Sequence, residues 1–338
     1  MKRLIAEFEE QSFTQIIFPH VKTDWIDCLD EAENTFVNII NEIIKYQKCL
    51  VVCQNIQSVK SRFKKNENLY FVEYGTDDTW ARDCSALCIE NNNEIKLLDF
   101  NFTGWGGKFE ASKDNKMSQE LQKNYKNELL HACPPWSRVD FILEGGGVES
   151  NGVDTILTTS ACMLNKNRNS KLNSSQITQK LKDEFGAENI LYLEHGYLAG
   201  DDTDSHIDTL ARFIDEKTIM YITCQNENDE HFKELKLMED ELKEFSKTYG
   251  LKLIALPMTD AIYFEDERLP ATYANFLFIN GAVLVPTYGV KQDEEALDIF
   301  RDTFKDRDIL GINCLTLIKQ HGSLHCVTMN FAKGIEII

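Results

Sequence analysis

The segment from Gly200 to Phe213 concentrates side chains that could transfer protons, since it holds four acids and a histidine in a short polar stretch. His206 and Asp208 alternate along what the pattern predicts to be an extended segment, so both side chains are expected on one face. Histidine titrates near neutral pH, and a carboxylate beside it on the same face indicates proton transfer. The alternative interpretation of this segment taken alone is a solvated acidic loop.

Reactive groups recur along the chain at a period of about 60 residues. Asp83 and Glu144 are 61 residues apart, Glu144 and His206 are 62 apart, and His206 and Cys326 are 120 apart, or two periods. Each group comes just before a predicted hairpin, and the same period adds Asn275 as a substrate contact. Equivalent positions of successive units converge on the axis of a closed ring, so these groups are expected to line one central pocket.

Each of these residues also has a simpler interpretation when it is considered alone. Cys326 could be a buried strand cysteine, and Asp83 could form a surface ion pair with its neighbour Arg82. Glu144 could precede a flexible glycine turn, and the tryptophans at 80 and 105 could belong to the core. The shared period favours a common site over a series of coincidences.

The residue types of this set indicate the chemistry that it could perform. A cysteine, a histidine and several carboxylates, without lysine or arginine, suit a substrate that is itself positively charged. Enclosed carboxylates bind a planar guanidinium bidentately, and the bound cation lowers the pKa of an adjacent thiol. The thiolate can then attack the guanidino carbon while histidine protonates the departing nitrogen. Water activated by the same histidine would complete a hydrolysis, so no cofactor is required.

The elements that must position these groups follow a repeated order of hairpin, helix and strand. Turn residues between short apolar runs predict five hairpins, at 86–90 with 94–100, 146–150 with 153–159, 210–214 with 218–223, 276–279 with 282–286, and 327–331 with 335–338. Apolar residues at helical spacing predict helices at 26–46, 117–130, 175–185, 229–249 and 293–304. Further short strands are predicted at 49–53, 69–72, 189–193 and 252–256.

This repetition favours an α/β fold in which five ββαβ units form one pseudo-symmetric ring. The chain has no low-complexity or linker segment, so residues 1–338 are expected to form a single catalytic domain. The alternative architecture is an open mixed sheet with helices on both faces.

Composition excludes several classes of function. A net charge of −19 argues against nucleic-acid binding and is compatible with attraction of a small cationic substrate. The first residues lack the apolar region of a signal peptide, and no stretch approaches 18 uninterrupted apolar residues, so we expect neither export nor membrane insertion. Ten cysteines without an export signal then indicate reduced thiols in the cytoplasm. Cysteine spacing gives no metal knuckle, so no structural metal is expected.

Six motifs resemble those of the agmatine deiminase and bacterial peptidylarginine deiminase family, in the same order, from about Tyr74 to the end of the chain. They are Trp80-Ala-Arg-Asp83, Gly104-Trp-Gly-Gly-Lys108, Glu144-Gly-Gly, Leu164-Asn-Lys-Asn-Arg-Asn169, His206-x-Asp208-x-x-Ala-Arg-Phe213 and His325-Cys326. The resemblance implies the pentein fold of guanidine-modifying enzymes, a five-bladed α/β-propeller. It departs from the usual family pattern at Cys84-Ser85-Ala86, at Asn151 and at Ser323.

The resemblance also implies a role for each matching residue. Cys326 would be the nucleophile that forms a covalent amidino-thioether, His206 the general acid and base, and Glu144 the hydrogen-bonding partner that orients His206. Asp83 and Asp208 would hold the guanidinium nitrogens. The walls of the substrate channel would be formed by Trp80 and Trp105.

The implied activity is hydrolysis of agmatine to N-carbamoylputrescine, a putrescine precursor, and ammonia. Free arginine would need a cation for its α-carboxylate; Arg82 alternates away from Asp83, whereas Arg212 shares the parity of His206 and Asp208 and could face the same side. Two alternatives stay open at this point: a deiminase of peptidyl arginine, and a non-catalytic guanidine-binding sensor. A homodimer is compatible with the sequence, although no apolar stripe requires one.

Overall fold

The computed structural model describes residues 1–126, 129–130, 134 and 136–338. Its strands, numbered in chain order, are β1 (Lys2–Leu4), β2 (Gln11–Ile17), β3 (Lys48–Cys53), β4 (Leu69–Glu73), β5 (Leu87–Asn91), β6 (Glu94–Asn101), β7 (Trp136–Ile142), β8 (Glu149–Ser150), β9 (Thr155–Thr159), β10 (Asn189–Leu193), β11 (Ala211–Asp215), β12 (Thr218–Thr223), β13 (Lys252–Pro257), β14 (Tyr263–Phe264), β15 (Glu267–Arg268), β16 (Leu277–Ile279), β17 (Ala282–Thr287), β18 (Asp308–Asn313) and β19 (Thr328–Ala332).

Helices alternate with these strands. They are α1 (Leu29–Ile43), α2 (Ile56–Lys60), α3 (Ala81–Cys84), α4 (Gly104–Gly107), α5 (Asp114–Tyr125), α6 (Ser160–Met163), α7 (Ser174–Phe185), α8 (Phe232–Tyr249), α9 (Gln292–Thr303) and α10 (Leu315–Ile318), with short 3-10 turns at Ile26–Cys28, Gly145–Gly147 and Ile207–Thr209. Within the described residues, no helix is both long enough and apolar enough to cross a membrane.

The strands form five sheets of three or four strands with the same internal order, and one two-stranded ribbon. In each of the five, an antiparallel pair is extended by a parallel strand. The orders are β1-β5-β6-β7, β8-β9-β10, β11-β12-β13, β16-β17-β18 and β19-β2-β3-β4, and the ribbon is β14-β15. Mixed α/β sheets and four of the five predicted hairpins are therefore confirmed.

The fifth predicted hairpin is wrong. Strand β19 pairs antiparallel with β2, with Thr328 opposite Ile16, so the partner comes from the other end of the sequence. Residues 335–338 alternate like a strand, but Ile335 and Ile337 are simply buried against the core. A pattern of alternating burial identifies the residues that face inward, but it does not identify which segment pairs with them.

The main helices form where apolar residues recur at helical spacing. In α1, Phe36, Ile39, Ile40 and Ile43 are fully buried at positions i, i+3, i+4 and i+7. Helix α7 begins with a capping box, in which Asn173 accepts from the Gln176 backbone and the Gln176 side chain accepts in return. The predicted helix at 117–130 is α5, which begins at Asp114; residues 127 and 128 of that prediction lie outside the described residues.

Successive units contact each other through hydrogen bonds that each involve at least one segment preceding a sheet. Gly146 N–H donates to Asp83 Oδ1 at 3.0 Å, and Thr159 Oγ1 donates to the carbonyl oxygen of Ser205 at 2.7 Å. The remaining contacts of this kind run from Thr272 Oγ1 to Thr209 O (2.8 Å), from His325 N to Asn275 O (3.1 Å), and from Arg82 N to Cys326 O (3.1 Å). Each unit is thus bonded to the next, and the fifth is bonded to the first.

Candidate active site

The five side chains singled out by the sequence lie together at these contacts. His206 Nδ1 is 3.6 Å from Asp83 Oδ1, and His206 Nε2 is 3.9 Å from Glu144 Oε2. Cys326 Sγ is 3.9 Å from Asp208 Oδ2. All five residues are buried, with 6% exposure or less. One thiol, one imidazole and three carboxylates therefore lie close together in the interior of the protein.

Asp83 and Asp208 are not on extended segments, contrary to the sequence-based expectation. Asp83 lies in the helical turn α3, and Asp208 lies in the 3-10 turn Ile207–Thr209, which His206 immediately precedes. A side chain at 206 and one at 208 still converge, because the turn folds them around Gly146. A Cβ placed on Gly146 would lie 2.8 Å from His206 Nδ1, 2.9 Å from Asp83 Oδ1 and 3.0 Å from Asp208 Oδ2. Only glycine allows this approach.

Asp83 is held by two donors and is hard to ionise. The Trp105 indole N–H donates to Oδ2 at 2.9 Å, and the Gly146 backbone donates to Oδ1 at 3.0 Å. Burial, with a further contribution from Asp208, raises the pKa of Asp83 to about 6, although His206 opposes the shift. A cation that enters the site would favour the ionised form.

His206 carries a proton in the ionic environment of this site. Burial opposes the charge, but Asp83, Cys162 and Glu144 together raise the pKa of His206 well above its ordinary value. Its Nε2 is buried and has no hydrogen-bond partner among the described residues. The hydrogen bond expected from Glu144 is not formed at 3.9 Å, because both Glu144 oxygens accept from Arg168 Nε at 2.8 and 3.0 Å.

Cys326 is a buried thiol in a carboxylate-rich environment. Burial, followed by Asp208 and Asp83, raises the pKa of Cys326 well above its ordinary value. Asn275 Oδ1 lies 3.4 Å from Cys326 Sγ and accepts from the backbone N–H of His325 at 2.9 Å. Asn275, expected to touch substrate, is fully buried, and these contacts place it as a support for the cysteine.

Asp208 contacts a second histidine that sequence reasoning did not assign to the site. His325 Nδ1 lies 2.7 Å from Asp208 Oδ2, while Asp208 Oδ1 is buried without a hydrogen-bond partner. Burial, together with Arg212 and Arg82, lowers the pKa of His325, so its neutral ring can donate to Asp208. Burial alone would raise the pKa of Asp208. The combined effect of His325, His206 and Arg212 is larger and lowers this pKa below its ordinary value, so the carboxylate stays ionised.

Arg212 lies beneath the site and does not line the pocket. It is fully buried, binds Glu149 and Glu7, and stacks on Phe276 with its Cζ 4.8 Å from the ring centroid. Arg82 also binds Glu7, and its Nη2 donates to Asn330 Oδ1 at 2.7 Å. The contacts of Glu7 with Arg82 and Arg212 could not be predicted from the sequence, because these residues are more than 70 positions away from Glu7.

A pocket of about 200 Å³ leads from the surface to Cys326 and Asp83. Trp80 and Trp105 are among its lining residues, as expected for channel walls, and their rings are 6.5 Å apart and nearly perpendicular. Trp105 adopts φ 53° between glycines that also have positive φ. This turn directs the indole inward to Asp83, which is consistent with strain at a functional position.

Three carboxylates lie towards the mouth of the same pocket, from Asp24, Asp78 and Asp202. Asp78 accepts from the Trp80 indole at 2.9 Å, and burial followed by Asp24 raises the pKa of Asp78 to about 7. Among the described residues that line the pocket there is no lysine or arginine. The pocket therefore presents negative potential along its whole length.

Gly322 supports the wall of this pocket, and a methyl group there is expected to destabilise the fold. A Cβ on Gly322 would lie 2.1 Å from Trp80 Cζ3, and Trp80 is itself packed 5.7 Å from Trp25 between ring centroids. We expect Gly322→Ala to lower the free energy of unfolding by about 1–3 kcal/mol, the usual effect of overpacking. Chemical denaturation would measure this. Gly75→Ala is the control, since a Cβ there meets no atom within 4 Å; equal stability of the two variants would contradict the prediction.

Glu144, Cys162 and His206 are of types that bind zinc, and their ligand atoms lie within 4.8 Å of one another. However, the Arg168 guanidinium already holds both oxygens of Glu144, and its charge opposes a second cation.

Comparison with known proteins places this geometry in context. Residues 3–331 match the Porphyromonas-type peptidyl-arginine deiminase family. The chain is similar to a cysteine-to-serine variant of C. jejuni agmatine deiminase solved with substrate bound, with 41% identity, TM-score 0.94, and 99% and 98% of the two chains covered. It is also similar to Enterococcus faecalis agmatine deiminase, with 26% identity, TM-score 0.89, and 99% and 96% covered. An amidinotransferase from Microseira wollei, at 10% identity and TM-score 0.53 over 98% and 97%, shares the fold alone.

Proposed function

The chain belongs to the Porphyromonas-type peptidyl-arginine deiminase family, and we propose that it is an agmatine deiminase, a hydrolase that releases ammonia from agmatine. The observation that carries the proposal is the Asp208 carboxylate: its Oδ2 lies 3.9 Å from the thiol of Cys326, which lines the acidic pocket, and its buried Oδ1 has no hydrogen-bond partner among the described residues. A buried acceptor without a donor is costly, and a guanidinium N–H would satisfy it.

Substrate binding comes first in the proposed mechanism. The guanidinium lies between Asp83 and Asp208, whose carboxylates accept its N–H groups on two sides. The positive charge stabilises the thiolate form of Cys326, which the same carboxylates disfavour in the empty site. Ionisation of the nucleophile thus depends on the presence of a cationic substrate.

The covalent step joins Cys326 Sγ to the guanidino carbon. As the tetrahedral intermediate collapses, the bond to a terminal nitrogen breaks, and protonated His206 supplies the proton with which ammonia leaves. The result is an amidino-thioether and a neutral His206. Water then gives a proton to His206 and attacks the same carbon. As the C–S bond breaks, the new hydroxyl loses its proton to solvent, which releases the ureido product and restores the thiolate.

The charge of the pocket supports agmatine over arginine. Agmatine and arginine both carry an ammonium at the far end of the carbon chain, but arginine adds an α-carboxylate beside it; Asp24, Asp78 and Asp202 attract the ammonium and repel the carboxylate. Arg212, the one arginine that the sequence left as a candidate for binding a carboxylate, is engaged beneath the site. A deiminase of peptidyl arginine is the alternative, and it would bring a neutral peptide backbone to this mouth.

The experiment that tests the proposal is a comparison of ureido-product formation from agmatine, free arginine and an arginyl peptide. We expect the highest kcat/KM with agmatine. Preference for the peptide would support the proposed deiminase mechanism but would show that agmatine is not the main substrate. Absence of product from all three would favour a non-catalytic guanidine-binding protein.

Activity is expected to fall as the pocket carboxylates become protonated. The pKa of Asp78 is raised to about 7 and that of Asp83 to about 6, so both carboxyls lose their charge as pH falls through these values. Because kcat/KM reports ionisations of the free enzyme, its value for agmatine should decrease in this range. Asp78→Asn should remove the inflection near pH 7 and leave the one near pH 6. A profile that is flat through both values would contradict this prediction.

We further propose that the five sheets close into one five-bladed ring, with residues 1–338 as a single catalytic domain. The support is the series of hydrogen bonds that joins each unit to the next, including Arg82 N–H to Cys326 O, which joins the first to the fifth. A ring brings the segment before each sheet to a common axis, which accounts for the convergence of residues about 60 positions apart.

A further inference from the structure

Arg168 connects the candidate active site to a surface loop through buried ion pairs. Its Nε donates to both oxygens of Glu144, and its Nη1 lies 2.8 Å from Asp204 Oδ2. Its Nη2 donates to the carbonyl oxygen of Thr203 at 3.0 Å. The guanidinium is 1% exposed, and Asp204 also binds Lys108 Nζ at 2.8 Å. One arginine therefore joins three segments of the chain.

The two ends of this connection both lead to groups that would act on substrate. Glu144 Oε2 lies 3.9 Å from His206 Nε2, so Glu144 has Arg168 as one neighbour and His206 as another. Burial favours protonated Glu144, but His206 and Arg168 hold the pKa of this carboxyl below its ordinary value. Lys108 follows the turn that directs Trp105 to Asp83.

We propose that Arg168 is a positioning residue for catalysis: it keeps Glu144 ionised and in place beside His206, and through Asp204 and Lys108 it fixes the Trp105 turn relative to His206. The role deepens the proposed function and rests on it for its kinetic consequence. Arg168 belongs to the motif Leu164–Asn169, and Lys108 belongs to the motif Gly104–Lys108. No residue of either motif takes part directly in the proposed chemical steps.

The geometry requires an arginine. Two carboxylates and a carbonyl oxygen are bound in three directions by one planar fork, which a lysine ammonium on a flexible stem cannot reproduce. Asp204 adopts φ 67° two residues before His206. Arg168 thus holds both the carboxylate that faces the imidazole and the backbone that leads into it.

The expected effect of removing Arg168 follows from the groups that surround His206, which are Asp83, Glu144, Cys162, Asp201 and Asp208. Among these, Glu144 is the one bonded directly to Arg168. Without the guanidinium the pKa of Glu144 rises, so the acidic limb of the kcat profile should move to higher pH by about 1–3 units. Loss of alignment should lower kcat by about 10²-fold, with a much smaller change in KM.

The primary test compares kcat, KM and pH profiles of Arg168→Met and Arg168→Lys with the parent. We expect both to lose kcat, with Lys giving the smaller shift of the acidic limb. The His206 imidazole resonance in NMR, identified by its loss in His206→Asn, should inflect with Glu144 titration at a higher pH in Arg168→Met. This readout needs no turnover, so it distinguishes failure of the inference from failure of the proposed function.

Two milder variants keep the test decisive if the Arg168 variants do not fold. Asp204→Asn retains a residue that tolerates positive φ and removes the carboxylate that holds Arg168 Nη1, so it should lower kcat severalfold through loss of alignment. Lys108→Met should lower kcat severalfold, whereas Lys180→Met should not: Lys180 is equally exposed, at 34% against 35%, and pairs with Glu184 at 2.7 Å. Parent-like kcat and pH limbs in the folded variants would overturn the proposal.

Discussion

Cys326→Ser is expected to abolish turnover of agmatine while leaving its binding intact. Serine keeps the size of the side chain, but its hydroxyl is far harder to ionise than a thiol, and the carboxylates around position 326 oppose an anion there. Loss of a nucleophile of this kind lowers kcat by about 10⁴-fold or more. Stopped assays for ureido product would measure the loss, and calorimetry would measure agmatine affinity.

The control for this variant is Cys53→Ser, which makes the same change at a buried cysteine in β3, away from the pocket. It should retain parent kcat. In the parent, rapid acid quench followed by mass spectrometry should find the amidino adduct on the peptide that contains Cys326. Full activity of Cys326→Ser, or an adduct on another cysteine, would show that a different nucleophile carries the reaction.

Asp208→Asn is expected to have the second-largest effect. It replaces an ionised acceptor with an amide that presents N–H donors to the guanidinium, and it also alters the contact with His325 Nδ1. Loss of one partner from a buried charge pair is worth about 2–5 kcal/mol, so kcat/KM for agmatine should fall by roughly 30- to 5,000-fold. Agmatine affinity should fall as well, unlike in Cys326→Ser.

A matched control for Asp208→Asn is Asp99→Asn. Asp99 is also a buried aspartate, with a side chain 2% exposed, but its partner is Arg138, whereas Asp208 contacts Cys326 and His325. It should retain parent kcat/KM even if it melts at a lower temperature. If Asp208→Asn binds and turns over agmatine like the parent, the proposed guanidinium clamp is wrong.

The sequence could predict where the reactive residues fall because their positions repeat. The period of about 60 residues placed Asp83, Glu144, His206 and Cys326 in equivalent positions, and hydrogen bonds between units now account for that convergence. Local patterns likewise predicted four hairpins and the helices between them. A sequence period can be recognised without knowing which segments are in contact in the folded protein.

Other parts of the site depend on pairings that no local pattern contains. Glu7 binds Arg82 and Arg212 from the start of the chain and lies beside His325, and β2 provides the partner of β19. The alternation of polar residues predicted an extended backbone at 206–208, but this segment leads into a 3-10 turn. His206 and Asp208 still lie on one side because both contact Gly146. The role of Arg168 could have been suspected from its motif, but its two carboxylate partners could not.

The pairing of β19 with β2 has a consequence for the order in which the protein matures. Gln15 and Met329 are register partners, more than 300 residues apart, and the nucleophile lies just before β19. During synthesis β2 is made early, and one of its edges stays unpaired until β19 has been made. An unpaired strand edge is a site for aggregation. Such distant contacts also slow folding. The segment that carries Cys326 therefore completes its sheet only by pairing with a strand from a distant part of the chain, and one edge of β2 stays exposed until that pairing forms.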